Sequence, residues 1–168
     1  MEVKEFIHEA LGNTMGSLLQ IAEGLAKDDL FWKPAPNANH AGFLLWHIGR
    51  AEDFLTNKLC RKEAELWERD PRYERFGADV QGWGYGFDAG AVNRVPVFEP
   101  SELLEYIQAV RACTLTYLHS LSPADLPIKP RPDGQGMSVG QVFRLLITHN
   151  NQHLAQIDYI EGLRQAGR

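Results

Sequence analysis

"SVGQVFRLLITHNNQHLAQI", Ser138 to Ile157, is the stretch on which the fold turns. Apolar residues recur at alternating steps of three and four: Val139, Val142 and Leu146, then Ile160 and Leu163 beyond it. That spacing places them on one face of a helix. Ser138 and Gln141 form an S-x-x-Q capping box, which marks where the helix opens; it is expected to run to about Arg164. The same stripe is interrupted by three consecutive polar positions, His149, His153 and Gln156. Burying a polar side chain without a partner costs about 1–3 kcal/mol, so three adjacent interruptions ask for one shared explanation.

The rest of the chain supplies three more such stripes. Ile7, Leu11, Thr14, Leu18, Ile21 and Leu25 mark the first helix, which Pro34 and Pro36 keep from continuing. Leu44, His47, Ala51 and Phe54 mark the second, with Asn39 as the expected N-cap. Leu103, Ile107, Val110, Thr114, Tyr117 and Leu121 mark the third, which starts after Pro100 with Ser101 as cap. Between the second and third, residues 73–101 are rich in Gly and aromatics and have no helical rhythm. A connection of that length is uncommon unless it covers something. No strand-like alternation persists. The expected fold is all-α, a four-helix bundle with one long irregular loop between helices two and three, in a single domain over residues 1–168.

Composition narrows the function classes. With 168 residues, 44% hydrophobic and 23% charged, the chain is an ordinary globular domain. Its formal net charge of −5 argues against nucleic acid or an anionic membrane as partner. No apolar run approaches the ~20 residues of a membrane helix, and the acid-bearing, amphipathic start "MEVKEFIHEALGN" is unlike a secretory leader. Cys60 and Cys113 have no motif spacing and are expected to be reduced thiols. The expected setting is cytoplasmic.

Histidines four apart share a helix face, so His149 and His153 can turn their rings toward one ion. A third ligand must come from another helix. His47 sits on the second stripe, between Leu44 and Ala51. His8 lies one position past its stripe, His40 at a helix start and His119 near a helix end, so they fit less well. The expected metal ligands are therefore His47, His149 and His153. Three imidazoles suit a transition metal such as zinc or nickel rather than magnesium or calcium, and three protein ligands leave a coordination position open. The alternative is a set of core histidines hydrogen-bonded to backbone and to one another. The zinc-protease pattern H-E-x-x-H is ruled out, because Asn150 stands where its general base would be.

Two residues are candidates to orient these imidazoles or touch a substrate: Gln156, on the same stripe, and Asp53, six residues beyond His47. As charged helix residues, Glu52 and Asp53 are otherwise expected to face solvent. No general acid or base stands out, so the catalytic residues are unassigned. "GWGYG", Gly82 to Gly86, matches neither a phosphate loop nor a dinucleotide fingerprint. Its aromatics, with Phe87, either anchor the loop in the core or line a pocket mouth.

"GFLLWHIGRAEDF" together with the terminal "SVGQVFRLLITHNNQHLAQI" resembles the DinB-like (DinB/YfiT) superfamily, which includes bacillithiol and mycothiol S-transferases. The resemblance spans nearly the whole chain and rests on a helix-two His paired with H-x-x-x-H-x-x-Q-I. It implies a four-helix bundle, one divalent transition metal on His47, His149 and His153, and a homodimer, for which Phe31, Trp32 and Trp67 are candidate exposed apolar positions. The function it implies is transfer of a low-molecular-weight thiol cosubstrate to a small electrophile. A metal-dependent hydrolase with the same three-His site, or a non-enzymatic stress-associated metal-binding protein, fits the same ligands.

Overall fold

The computed structural model describes residues 1–77, 80, 82–96, 98–131 and 133–167, and among these it contains helices and connecting segments but no strand. Four long helices form the bundle: α1 (Val3–Glu23), α2 (Ala41–Asp53), α3 (Pro100–Ser120) and α4 (Val139–Gln165). Helix α1 packs on α3 and α4, and α2 packs on the same two, so α1 and α2 face each other across the diagonal. The expected all-α architecture and the long loop between α2 and α3 are both present.

The caps divide by chemistry. Ser138 Oγ accepts from the Gln141 N–H while Gln141 Oε1 accepts from the Ser138 N–H, so the box that announces α4 is made. At α2 the cap is His40 rather than Asn39: its Nδ1 accepts the Phe43 N–H at 3.0 Å. At α3, Glu99 takes the cap position and Pro100 the first helical turn, where its missing N–H costs nothing. Ser101 therefore lies inside that helix.

Helix α2 is the centre of the molecule, and every residue from Ala41 to Asp53 is buried. It continues into a π-helix, Phe54–Arg61, whose Leu55 is buried in the same apolar cluster as Leu11 of α1 and Leu146 of α4. The turn that follows is held by Asp53, whose carboxylate accepts from the Leu66 N–H, Asn57 Nδ2 and Tyr106 OH. Glu52 and Asp53 are thus fully buried, against the expectation that they face water.

The long loop is a folded cover. It contains a 3₁₀ turn, Pro71–Phe76, and one turn of helix, Ala89–Val92. Phe76 stacks on Tyr106 and Phe98, and its carbonyl accepts the Trp46 indole N–H at 2.7 Å. Phe31, Trp32 and Trp67 are partly buried against this core, so they are not the exposed apolar surface expected for an interface; among the described residues the large apolar side chains that are exposed are Met1, Val3, Phe6, Tyr85, Ile128 and Tyr159.

A buried polar layer crosses the bundle between two apolar clusters, one around Leu11, Leu118 and Leu146 and one around Leu18, Trp46 and Ile157. Arg111 of α3 makes a two-pronged ion pair with Glu52 of α2, at 2.7 and 2.8 Å, and also donates to the Leu11 carbonyl of α1. Asn150 of α4 lies 3.3 Å from Glu52 Oε2. All four helices therefore meet at one charged cluster. Burial alone would raise the Glu52 pKa, but the Arg111 charge and hydrogen bonds hold it below the ordinary value.

Candidate metal centre

His47 lies in the second turn of α2, and His149 and His153 lie one turn apart in the middle of α4. The packing of α2 against α4 brings the three rings together. His149 Nε2 is 2.9 Å from His47 Nε2 and 3.2 Å from His153 Nε2, and one ligand atom from each residue falls within 4.8 Å of the others. The rings meet edge-on, with centroids 4.4–4.8 Å apart. Two donors bound tetrahedrally at 2.0–2.1 Å stand about 3.3 Å apart, so small outward shifts of the rings would seat one ion on three Nε2 lone pairs.

The outer nitrogens decide which lone pairs are free. His47 Nδ1 is 2.6 Å from the Trp83 carbonyl, which can only accept; the proton is therefore on Nδ1 and Nε2 is bare. His153 Nδ1 is 2.8 Å from Gln156 Oε1, a hydrogen bond when the proton is on Nδ1, as at His47. His149 Nδ1 lies beside the Asn150 amide, whose groups are satisfied when its oxygen accepts from Arg111 Nη2 at 3.0 Å and its nitrogen donates to the Leu146 carbonyl at 3.3 Å, so His149 has no comparable outer acceptor. Such outer hydrogen bonds are what orient metal-ligating imidazoles.

The rings are also kept neutral. Burial, reinforced by His149 and His153 and opposed by the Trp83 carbonyl, lowers the His47 pKa from 6.5 to about 4. Burial likewise lowers those of His149 and His153, partly offset at His153 by the hydrogen bond to Gln156. At neutral pH all three imidazoles are in the form that binds a metal. The donor set and its protonation therefore fit a divalent transition metal.

A cavity of about 390 Å³ opens over the cluster. Its walls are Phe43, Leu55, Trp83, Tyr85, Phe87 and Leu145, with the Asn39 amide at one edge. Among the described residues no Lys, Arg, Asp or Glu lines it. The "GWGYG" turn forms one wall. Gly82, Gly84 and Gly86 all have positive φ, +88°, +98° and +72°, which alternate glycines allow at little steric cost. The turn lays the Trp83 ring parallel to His47, at 5.7 Å and 4°, and stacks it on Phe54 and Tyr85. Of the two readings of these aromatics, the structure supports the pocket wall for Trp83 and Tyr85; Phe87 both lines the cavity and packs on Phe43.

The predicted site residues divide clearly. His47, His149 and His153 come together, and Gln156, although exposed, holds His153. Asp53 does not reach the cluster; its carboxylate is spent on Leu66, Asn57 and Tyr106. The buried line of α4 runs Val142, Leu146, Asn150, Leu154, Ile157 and Ile160. The histidines and Gln156 thus lie along the margin of the buried face, where the cavity opens, rather than along its middle. Cys60 takes no part: burial pushes its thiol pKa up to about 11, so it is a poor nucleophile. Sequence reasoning missed Asn150, Glu52, Arg111 and the Trp83 carbonyl. The first three had a faint signal, charged and amide residues at positions flanking apolar stripes; a backbone carbonyl has none.

Comparison with known proteins agrees with this architecture. The sequence profile of the DinB superfamily matches residues 10–157. The fold is similar to the crystal structure of a conserved protein from Enterococcus faecalis, with a TM-score of 0.81 and 21% identity over 95% of each chain. No protein among those with curated descriptions matches.

Proposed function

The chain belongs to the DinB superfamily, and on that premise we propose that it is a metal-dependent enzyme that transfers a low-molecular-weight thiol to a small electrophile. The observation that carries this reading is the convergence of the His47, His149 and His153 Nε2 atoms beside an uncharged, aromatic-walled cavity, with the outer nitrogens of His47 and His153 next to an oxygen of Trp83 and of Gln156. His47, His149 and His153 would hold one divalent transition metal, zinc or nickel by donor chemistry. A metal held this way supplies a positive charge that favours the thiolate over the thiol at neutral pH.

The chain's own residues do the rest. Half-buried Trp83 and Phe87 cover one side, exposed Tyr85 stands at the mouth, and together they offer flat apolar faces to a planar or apolar electrophile. In the reaction the thiol gives its proton to solvent, its sulfur forms the new bond to the electrophilic carbon, and the leaving group departs with the electron pair. Among the described residues the only proton-transfer groups lining the cavity are the histidines and the Tyr85 phenol, which suits a reaction with a thiolate nucleophile and a good leaving group. We further propose a homodimer, supported by family membership and by the exposed Val3 and Phe6 on α1.

The test is turnover of an activated aryl electrophile by untagged, zinc- or nickel-loaded protein with bacillithiol, mycothiol or glutathione, beside an ester and no thiol. Thiol-dependent turnover that is lost in His153→Ala supports the proposal. Thiol-independent ester cleavage lost in the same variant replaces it with a hydrolase. Stoichiometric metal with turnover of neither substrate assigns a non-catalytic metal-binding role.

A further inference from the structure

A second cavity adjoins the one over the histidines. It is an open groove of about 330 Å³, floored by the buried Leu44 and Ile160. Pro34 and Ala38, from the segment before α2, and Ala155 and Tyr159, from α4, form its sides. Its place follows from the register of the two helices. His47 meets His149 and His153, while Leu44, one turn earlier on α2, shares the groove with Ile160, two turns later on α4. The helices thus run antiparallel, and the groove is the continuation of the metal cavity along their seam. Asn39 lines both cavities, and Gln156 lines the groove while its Oε1 lies 2.8 Å from His153 Nδ1. The two cavities therefore meet at a pair of primary amides. With its oxygen on His153, the Gln156 NH₂ has no protein partner among the described residues.

We propose that this groove binds the uncharged, apolar arm of the electrophile, a phenyl ring or a short alkyl chain, while the Asn39 and Gln156 amides donate to a carbonyl or nitro oxygen beside its reacting carbon. The proposal deepens the thiol-transfer reading above and rests on it. Three observations carry it. The groove opens directly onto the metal cavity through Asn39, so one molecule can occupy both. Among the described residues nothing charged lines the groove, and its largest wall is the ring of Tyr159, which stands 69% exposed. An apolar surface with a few convergent hydrogen-bonding groups is the usual make-up of a small-molecule site. The third is a matter of which substrate fits. A low-molecular-weight thiol carries charges and hydroxyls, and setting these against Leu44 and Ile160 would strip their water without offering partners. An apolar arm gains from the same burial. The groove thus selects the electrophile and leaves the thiol to the other side of the metal cavity.

The test uses unreactive ketones, 4-alkylacetophenones from 4-methyl to 4-hexyl, titrated into chelator-treated and zinc-loaded protein and followed by NMR. The side-chain NH₂ signals of Asn39 and Gln156 should shift while that of the buried Asn57 stays. Affinity should rise about two- to fourfold for each added carbon that the groove buries, then level off, in both forms of the protein. Ala155→Phe, at an exposed position of α4, fills the groove. It is expected to abolish the gain with chain length while leaving zinc affinity and the binding of 4-methylacetophenone within about twofold. Tyr159→Ala removes one wall and should lower the gain per carbon. Affinity in the wild type that does not depend on chain length, or the same gain in Ala155→Phe as in the wild type, overturns the proposal. So does a dimer that sedimentation shows dissociating in Ala155→Phe, which assigns the groove to a second copy of the chain. Thiol-dependent turnover with no preference for longer arms removes this proposal and leaves the reaction; chain-length-dependent ketone binding without thiol-dependent turnover keeps the groove as a ligand site and removes the reaction.

Discussion

Gly84 is where the loop and the metal centre meet, and Gly84→Ala tests whether the loop holds His47. A Cβ at this position would lie 2.5 Å from His47 Nδ1, 3.1 Å from Cγ and 3.3 Å from Cε1. Ordinary contact is about 3.5 Å, so ring or loop must move by about 1 Å. The ring has little room, because Phe43 and Trp83 flank it nearly parallel, at 8° and 4°. The loop therefore lifts, and the 2.6 Å hydrogen bond from His47 Nδ1 to the Trp83 carbonyl is lost. The alanine also sits at φ +98°, which costs about 1–3 kcal/mol. Gly86→Ala separates the two effects, since Gly86 has φ +72° but nothing within 4 Å of its Cβ. Calorimetric titration with zinc should show Gly84→Ala binding about 10- to 100-fold more weakly, with Gly86→Ala near wild type in affinity and losing only the stability that its positive φ costs. Equal, wild-type affinity in the two variants would refute the claim that the "GWGYG" turn positions His47.

Two further outcomes follow from the buried charges. Arg111→Met strands the Glu52 carboxylate among all four helices and should cost about 3–5 kcal/mol, seen as a melting temperature lower by roughly 6–20 °C; adding Glu52→Leu should recover most of it, and a double variant as unstable as the single one would contradict this account. Acid should destabilise the metal-free protein early. Burial lowers the His40 and His47 pKa values to about 4, while the unfolded chain takes up those protons near 6.5. Stability is therefore full above pH 6.5 and falls between 6.5 and about 4, by up to about 3 kcal/mol for each residue; denaturant midpoints that do not move between pH 7 and 5 would contradict the burial of these rings.

The helices were legible because each buries one face of a 3.6-residue period, and four such faces are visible in the chain. The register of α4 was less so. A stripe drawn through Leu146, His149, His153 and Gln156 and one drawn through Leu146, Asn150, Leu154 and Ile157 share their ends, and spacing alone cannot tell the middle of a buried face from its margin. The histidines stood out by type. Asn150 did not, since an amide beside a histidine carries no periodic signal and its role depends on Glu52 and Arg111 from two other helices. Asp53 was misplaced for a related reason: its partners are a backbone N–H at Leu66 and a tyrosine 53 positions away in sequence. The cap at His40 was unexpected because histidine accepts a backbone N–H only when neutral, a state that burial secures here.

The most direct test of the central claim is the metal content of untagged protein by mass spectrometry, with His47→Ala and His149→Ala beside it. The account predicts about one transition-metal ion per wild-type chain and loss of that ion in both variants while the helical spectrum is kept. Full occupancy in His47→Ala would contradict a site built by α2 and α4 together.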